Sequence, residues 1–233
     1  MKVCAFGLSS LPCGIHNIKD PRLDETHKLV EAKKKAYAQV DVVGNDDLVD
    51  ADCVVTNEDG ILELIFQDLE FIETRLGRDP SEEEKAGLLK LKARLEDDQT
   101  VFTAGLDLAD MEALAIHGFS TNKPVVVATE EELADPDALL VNVFKQSGWI
   151  SFLTVGGSEN RAWPILAGTT AWEAGGAIHS DIQKGFIRAE IIGYDDFLEA
   201  GGETLAKRAD KQRLEIKTYV MQDYDLTNFR FNK

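Results

Sequence analysis

Cationic side chains are in short supply: 25 Lys and Arg stand against 42 Asp and Glu, a formal charge of −17 over 233 residues. That balance excludes a chain that holds nucleic acid by whole-molecule attraction, because phosphate contacts need local positive charge. The deficit is uneven. Residues 150–233 carry 10 basic and 12 acidic side chains, which leaves 15 against 30 in residues 1–149, so an RNA contact is expected in the C-terminal part if the chain makes one. Cysteine is also sparse. Cys4, Cys13 and Cys53 are an odd number with no C-x-x-C pair, which supports neither a disulfide framework nor a zinc site. There is no run of about 18 apolar residues, and residues 1–14 have neither the basic start nor the long apolar core of a signal peptide. The expectation is a cytoplasmic protein without membrane contact. What is present, 44% hydrophobic and 29% charged residues, is the composition of an ordered globular chain, and its length suits two compact bodies.

From the N-terminus, Lys2 to Leu8 is a short apolar run ending near Gly7, the pattern of a buried strand feeding a turn. A phosphate-binding loop at this place would read G-x-x-x-x-G-K-[ST], with backbone N–H groups around the phosphates and the lysine and hydroxyl serving phosphate and magnesium. The residues are instead Gly7-Leu8-Ser9-Ser10-Leu11-Pro12-Cys13-Gly14. Pro12 removes an N–H, Cys13 supplies no dependable positive charge, and Gly14 has no hydroxyl. Glu25 to Ala36 reads as a short helix with Lys33 to Lys35 in its solvated last turn, and Gln39 to Gly44 as an alternating strand. From Ile61 the period changes: Leu62, Ile65, Leu69, Ile72 and Leu76 step by three and four, Gly77 to Pro80 breaks the run, Ser81 and Glu84 have capping-box spacing, and Leu88, Leu91 and Leu95 resume it. This predicts an antiparallel helical hairpin over about 61–98, with Leu62, Ile65, Leu69, Leu88, Leu91 and Leu95 facing one another. A helix over Asp107 to His117 then returns the chain to an apolar strand, Lys123 to Ala128.

The C-terminal third organises the rest. Ser147 onward gives strand-like ISFLTV, RAWPIL and FIRAEII, helices expected between Tyr194 and Leu214, and Tyr219-Val220 with Phe229 to Phe231 closing a sheet. With Arg161-Ala162-Trp163 before the stretch Ala177 to Ile192 and Tyr194-Asp195-Asp196-Phe197 after it, this region resembles the TGS-type domain of the YchF branch of Obg-like GTPases. The resemblance implies an α/β plus α+β protein: residues 1–146 as a truncated, degenerate P-loop-like α/β GTPase domain with the helical hairpin inserted, and residues 147–233 as a β-grasp (TGS, ubiquitin-like) domain. Ile216 and Tyr224 stand where the family has turn glycines. The resemblance also places Asp20 to Asp24 in the nucleotide domain, matches Asp41 and Gly44 to a D-x-x-G pattern, and sets Thr129 and Glu132 against an N-x-x-E base-reading motif whose asparagine is gone. Gly7, Asp41, Gly44, Thr129 and Glu132 are thus the vestigial nucleotide-binding candidates, with no catalytic residue and no metal ligand.

Three functions remain open on these grounds. The first is a YchF-like protein that has lost nucleotide hydrolysis, needs no cofactor, and serves as a binding or regulatory module for ribosome, RNA or protein through its TGS-like domain. The second is a divergent NTPase that binds GTP or ATP with magnesium through an atypical loop. The third is an unrelated enzyme using His179 and nearby acids, although a lone His–acid pair without a nucleophile is more often structural. Trp163, Trp172 and Phe186 suit an RNA-stacking platform or a core. Lys207, Arg208 and Lys211 are the partner-binding candidates, because helical spacing would put Lys207 and Lys211 on one face with Arg208 beside them.

Overall fold

The computed structural model describes residues 1–30 and 32–232; Glu31, inside the expected 25–36 helix, and Lys233, at the end of the expected second domain, lie outside the described residues. The chain begins β1 (Lys2–Ala5), β2 (Gly14–Asn17), α1 (Pro21–Leu29), β3 (Lys34–Ala36), β4 (Gln39–Val43) and β5 (Cys53–Thr56). Next come α2 (Glu58–Leu76), α3 (Glu82–Glu96), α4 (Leu108–Leu114), β6 (Val125–Val127), α5 (Glu130–Leu133) and α6 (Pro136–Gln146). Then follow β7 (Trp149–Thr154), β8 (Glu159–Leu166), α7 (Ala171–Ile178), α8 (Ser180–Lys184), β9 (Phe186–Ile192), α9 (Tyr194–Ala200), α10 (Glu203–Arg208), β10 (Arg213–Glu215) and β11 (Leu226–Phe231). Two compact units result: Met1–His16 with Val40–Leu139, and Asn17–Gln39 with Leu140–Lys233. Residues 17–39, read above with the N-terminal body, cluster with the second unit.

The first unit is built on a sheet of order β2-β4-β1-β5-β6, in which β4, β1, β5 and β6 run parallel. β5 is buried at all four positions, the continuous apolar pattern of a strand covered on both faces. The helical hairpin forms as the spacing predicts, with Asn57 capping α2 and Ser81 capping α3 by accepting from Glu84 N at 3.2 Å. Glu84 does not complete the capping box, because its carboxylate turns to Arg75 and His117. Leu62 departs from expectation. It is 53% exposed, while Ile65, Ile72, Leu88, Leu91 and Leu95 are buried together and Ile61, Leu69 and Leu76 pack beside them. The reason is that α2 serves two cores at once: Leu64 belongs to the sheet core with Cys4 and Val54, and Ile65 to the hairpin. Its buried stripe is turned accordingly and leaves Leu62 outside. Residues 99–121 cover the hairpin, contributing Ala104, Leu114 and Phe119, and buried Asp68 pins them by accepting from Ser120 N and from Thr121 N and Oγ1.

The second unit is a mixed sheet of order β10-β9-β11-β7-β8-β3 with α7 packed across it, the arrangement expected of the C-terminal part. Phe152, Ala174, Ile191 and Phe229 fill the space between helix and sheet. Four expectations change here. The helix expected over 25–36 is α1 alone, begun by the Asp20 N-cap with Pro21 in its first turn, and Lys34 to Ala36 instead pair with Glu159 to Arg161 as parallel strand β3. Tyr219-Val220 is reduced to a single bridge, Thr170 with Val220. Helical structure expected as far as Leu214 stops at Arg208, and Leu214 lies in β10 opposite Glu190.

Candidate functional site

Of the three N-terminal candidates, Gly7 and Gly44 follow the C-terminal ends of the neighbouring strands β1 and β4, and Asp41 lies within β4. Gly7 takes φ +67°, the left-handed turn that glycine allows, and its N–H donates to Asn45 Oδ1 at 3.1 Å. Gly44, immediately before, accepts from buried Cys4 Sγ at 3.5 Å, whose thiol burial pushes up to about 11. Gly7 and Gly44 are therefore brought together. Asp41 sits three residues back in β4, paired in register with Lys2, and its N–H donates to Met1 O at 3.0 Å. After Gly7 the chain reaches β2, with no helix between. A phosphate loop relies on the N–H groups and positive dipole end of the helix that follows it, and here that element is a strand. Pro12 O accepts from His16 Nε2 at 2.7 Å, so the loop is tied to β2 itself.

Thr129 and Glu132 have become a helix start. Thr129 Oγ1 accepts from Glu132 N at 3.3 Å and Glu132 Oε2 accepts from Thr129 N at 2.9 Å, a reciprocal capping box on α5. Lys123, at the head of the same strand, donates to Leu48 O, Val49 O and Ala51 O at 2.8, 2.9 and 2.8 Å. All three ammonium protons are thereby used, and burial lowers its pKa. Among the described residues no group of three or more His, Cys, Asp or Glu is placed to hold a metal ion.

The C-terminal cations do not form the shared face that helical spacing predicts. α10 ends at Arg208, and Asp210 takes φ +58°, a left-handed stop that turns the chain away. Lys211 therefore lies beyond the helix and pairs with Asp196 at 2.8 Å, whereas Lys207 pairs with Glu203 at 2.6 Å. His179 is a cap, its Nδ1 accepting from Asp181 N at 3.1 Å. Phe186 packs against the second core, Trp163 is half-buried beside it, and Trp172 is exposed, so the three aromatics make no common platform.

Asp20 to Asp24, assigned above to the nucleotide domain, is a structural clasp in the second unit. Arg22 reaches Asp20 through Nε at 3.0 Å and Nη2 at 2.7 Å, meets Asp223 at 2.8 Å, and lies 3.7 Å from the Tyr224 ring centroid. Tyr224 occupies the family's glycine position at φ +63°, a conformation costly for a bulky residue. It is held by Arg22 and by its N–H donating to Ser151 O at 2.6 Å. Burial works against the Asp20 carboxylate, yet Arg22 holds its pKa below the ordinary value.

Beside this clasp is a groove of about 440 Å³ lined by Asn17, Lys35, Tyr37, Gln39, Arg161 and Trp163. None of these had been singled out as a binding residue except Trp163. The signal was present in the sequence as two dyads at strand spacing, Lys35-x-Tyr37 and Arg161-x-Trp163, each placing a cation and a ring on the same side of the backbone. In both the cation does lie against its ring.

Residues 149–232 match the family model described as YchF-GTPase_C, protein of unknown function (DUF933). The "Ribosome-binding ATPase YchF" of Haemophilus ducreyi is 52% identical over 82 residues, 35% of this chain and 23% of that protein. Its Bacillus subtilis counterpart is 46% identical over 106 residues, 44% and 29% of the two chains, and "Obg-like ATPase 1" of Rattus norvegicus is 47% identical over 81 residues, 35% and 20%. The matched stretch thus spans about a quarter of the length of these curated relatives. In fold, the chain is similar to the Schizosaccharomyces pombe YchF GTPase at a TM-score of 0.75 and 18% identity, over 98% of this chain and 97% of that one.

Proposed function

We propose that the protein, whose residues 149–232 match the YchF-GTPase_C family model, is a YchF-type homologue that has lost nucleotide hydrolysis and works as a ribosome-associated binding module. The observation that carries the first half is the passage from Gly7 to β2 without a helix, in a loop whose lysine and hydroxyl positions hold Cys13 and Gly14. Gly7, Asp41, Gly44, Thr129 and Glu132 are on this reading remnants with structural duties, and no cofactor is needed. The second half is supported by the relatives, named "Ribosome-binding ATPase YchF", that are 52% and 46% identical to this chain over 82 and 106 residues. On this reading the TGS-like domain meets the ribosome, and the protein works in the cytoplasm. Among the described residues no helix is long and apolar enough to cross a membrane.

A second reading, a divergent GTP- or ATP-binding NTPase, is favoured by the parallel sheet and by the fold likeness to a YchF GTPase. Calorimetry with GTP and with ATP, magnesium present, separates the two. The module reading expects no binding tighter than about 100 μM, roughly −5.5 kcal/mol, and a low-micromolar constant for either nucleotide overturns it. Ribosome co-sedimentation at low salt tests the partner, and its absence removes the ribosome from the proposal.

A further inference from the structure

We propose that the outer face of α4, in the first unit, is a docking site for a basic amphipathic helix of a partner protein. The apolar side of that helix would cover Leu108, Met111 and Ile116, and its Lys or Arg residues would meet Glu112 and the acids around it. This face lies outside residues 149–232 and outside the loop after β1, so its occupant is independent of ribosome and nucleotide.

α4 is amphipathic the wrong way round. A helix on the surface of a globular unit turns its apolar stripe to the core and its charges to water. Here the buried positions, four residues apart, are Asp110 and Leu114, while Leu108, Met111 and Ile116 are 72, 58 and 80% exposed. Leu108, Met111 and Ala115 stand at i, i+3 and i+7, the spacing of one helix stripe. The C-cap Ala115 keeps helical angles, φ −60° and ψ −22°, so Ile116 continues the stripe at i+8. The helix cannot roll to bury these side chains, because its inner side is fixed at three points. Asp107 caps the first turn by accepting from Asp110 N at 2.9 Å, and buried Asp110 accepts from Lys90 Nζ of α3 at 2.6 Å. Leu114 lies so close to α3 that a Cβ on Gly87 would stand 3.4 Å from its Cγ. The result is a rigid apolar face in water, the kind of surface that marks a protein interaction site, and its rigidity spares a partner the cost of ordering it.

Charge selects the occupant. Residues 95–122, which carry α4, hold six acidic side chains and no Lys or Arg, and Glu112 is exposed within the stripe itself. The cations of α3 that border α4, Lys90 and Arg94, lie at its N-terminal end and line one cleft with Asp107 and Asp110. Lys90 is engaged by both of those acids. A second copy of this chain would press two acidic segments together, and nucleic acid or an anionic lipid surface would meet the same repulsion. A basic amphipathic helix satisfies the apolar stripe and the acids at once, the mode in which an amphipathic helix lays its apolar side on a hydrophobic surface.

The probe is a labelled amphipathic peptide of about 18 residues, five helical turns, with Leu along one side and Lys along the other. It is titrated into the full chain by fluorescence anisotropy, beside a peptide with Glu in place of Lys and one with the Leu and Lys order scrambled. Wild type is expected to bind the Leu/Lys peptide more tightly than about 100 μM, with amide shifts centred on residues 107–116. Met111→Ser should weaken binding about tenfold, the factor for one large apolar side chain left unburied, and Ile116→Ser by a similar factor. Glu112→Lys should weaken it about threefold, as for an exposed charge pair, and by less as salt is raised. Both serine variants should melt within about 2 °C of wild type, because the side chains they remove are exposed. The proposal is overturned if the Leu/Lys peptide does not bind by about 100 μM, or if the Leu/Glu or scrambled peptide binds as tightly. It is equally overturned if the shifts centre elsewhere, or if Met111→Ser binds as wild type. Should Met111→Ser lose its fold, Ile116→Ser in the turn after the helix decides, and unchanged binding there overturns the face. A dimer of the chain alone in sedimentation equilibrium, dissolved by Met111→Glu, would give the face to a second copy and overturn the partner proposed. Nucleotide calorimetry and ribosome co-sedimentation decide the module reading separately, and neither result changes this one.

Discussion

The two units hold their polar groups differently. In the first, with 8 basic and 26 acidic residues, the groups at and near the candidate nucleotide positions are turned onto the chain itself: Gly7 N–H to Asn45 Oδ1, Lys123 to three carbonyls, Thr129 and Glu132 to one another. In the second, with 17 and 16, planar and cationic groups are stacked and pinned yet left half exposed, as at Arg161 and Trp163. A group closed on its own chain contributes to stability and has little left for a ligand, whereas a group held from behind and open in front is ready for one. The second unit is also where the family model matches, over residues 149–232.

The comparison is broken most forcefully in the hairpin of the first unit. Leu91 is fully buried between α2 and α3, and Leu91→Ala should cost about 2–5 kcal/mol. Amide signals of residues 58–121 are expected to broaden or lose exchange protection while those of 140–232 keep their positions. If both sets are lost together, the two units are one cooperative body and the contrast drawn between them is not energetic.

The clasp gives the matching test in the second unit. Arg22→Ala would leave the buried Asp20 carboxylate with Lys145 at 3.3 Å as its charged partner and would strip the stack from Tyr224. The expected loss is about 3 kcal/mol, the low end for breaking a buried pair, because Lys145 remains. Chemical denaturation followed by a probe in 149–232 measures it. A change near zero would mean that Tyr224 holds its left-handed conformation without Arg22.

A smaller effect, in pH rather than in size, sharpens the contrast. In the first unit Arg75, through hydrogen bonds of 2.6 and 2.8 Å, holds the Glu84 carboxyl at about 2 against an ordinary 4.5, with His117 adding to it. A carboxyl whose folded pKa is depressed stabilises the fold fully above its unfolded pKa, and the contribution fades as pH falls from 4.5 toward 2. Urea midpoints of the hairpin should therefore decline over that window in wild type and decline less in Glu84→Gln. Equal slopes would remove the Arg75 pair from the acid response.

What could be read from the sequence follows the range of the interactions. The apolar run that became β1, the alternating one that became β4, and the three-and-four spacing of the hairpin are set by neighbours a few residues away, and they form where expected. Thr129 and Glu132 were equally local but ambiguous, since T-x-x-E spacing serves a capping box as well as the remnant of a base-reading motif, and the box is what their hydrogen bonds form. The placement of Asp20 to Asp24 was not legible because its partners, Asp223 and Tyr224, lie about two hundred residues away. Leu62 was misplaced because a single helix serves two cores, which periodicity along one stripe cannot express. The two cation–ring dyads lay between these cases: each is local, but the pairing of β3 with β8, Lys35 opposite Asn160 and Ala36 opposite Arg161, which sets them on opposite faces of the sheet, is not.

The last and smallest expected effect concerns Lys207, Arg208 and Lys211. Helical spacing made them a partner-binding patch, but the Asp210 turn separates Lys211 from α10, and Glu203 and Asp196 already pair with Lys207 and Lys211. Exposed pairs of this kind contribute little to folding, so replacing all three by glutamate should move the melting temperature by about 2 °C or less. The triple variant should also co-sediment with ribosomes unless that larger surface reaches α10. Loss of co-sedimentation in the triple variant, with melting unchanged, would place the ribosome contact at the end of α10.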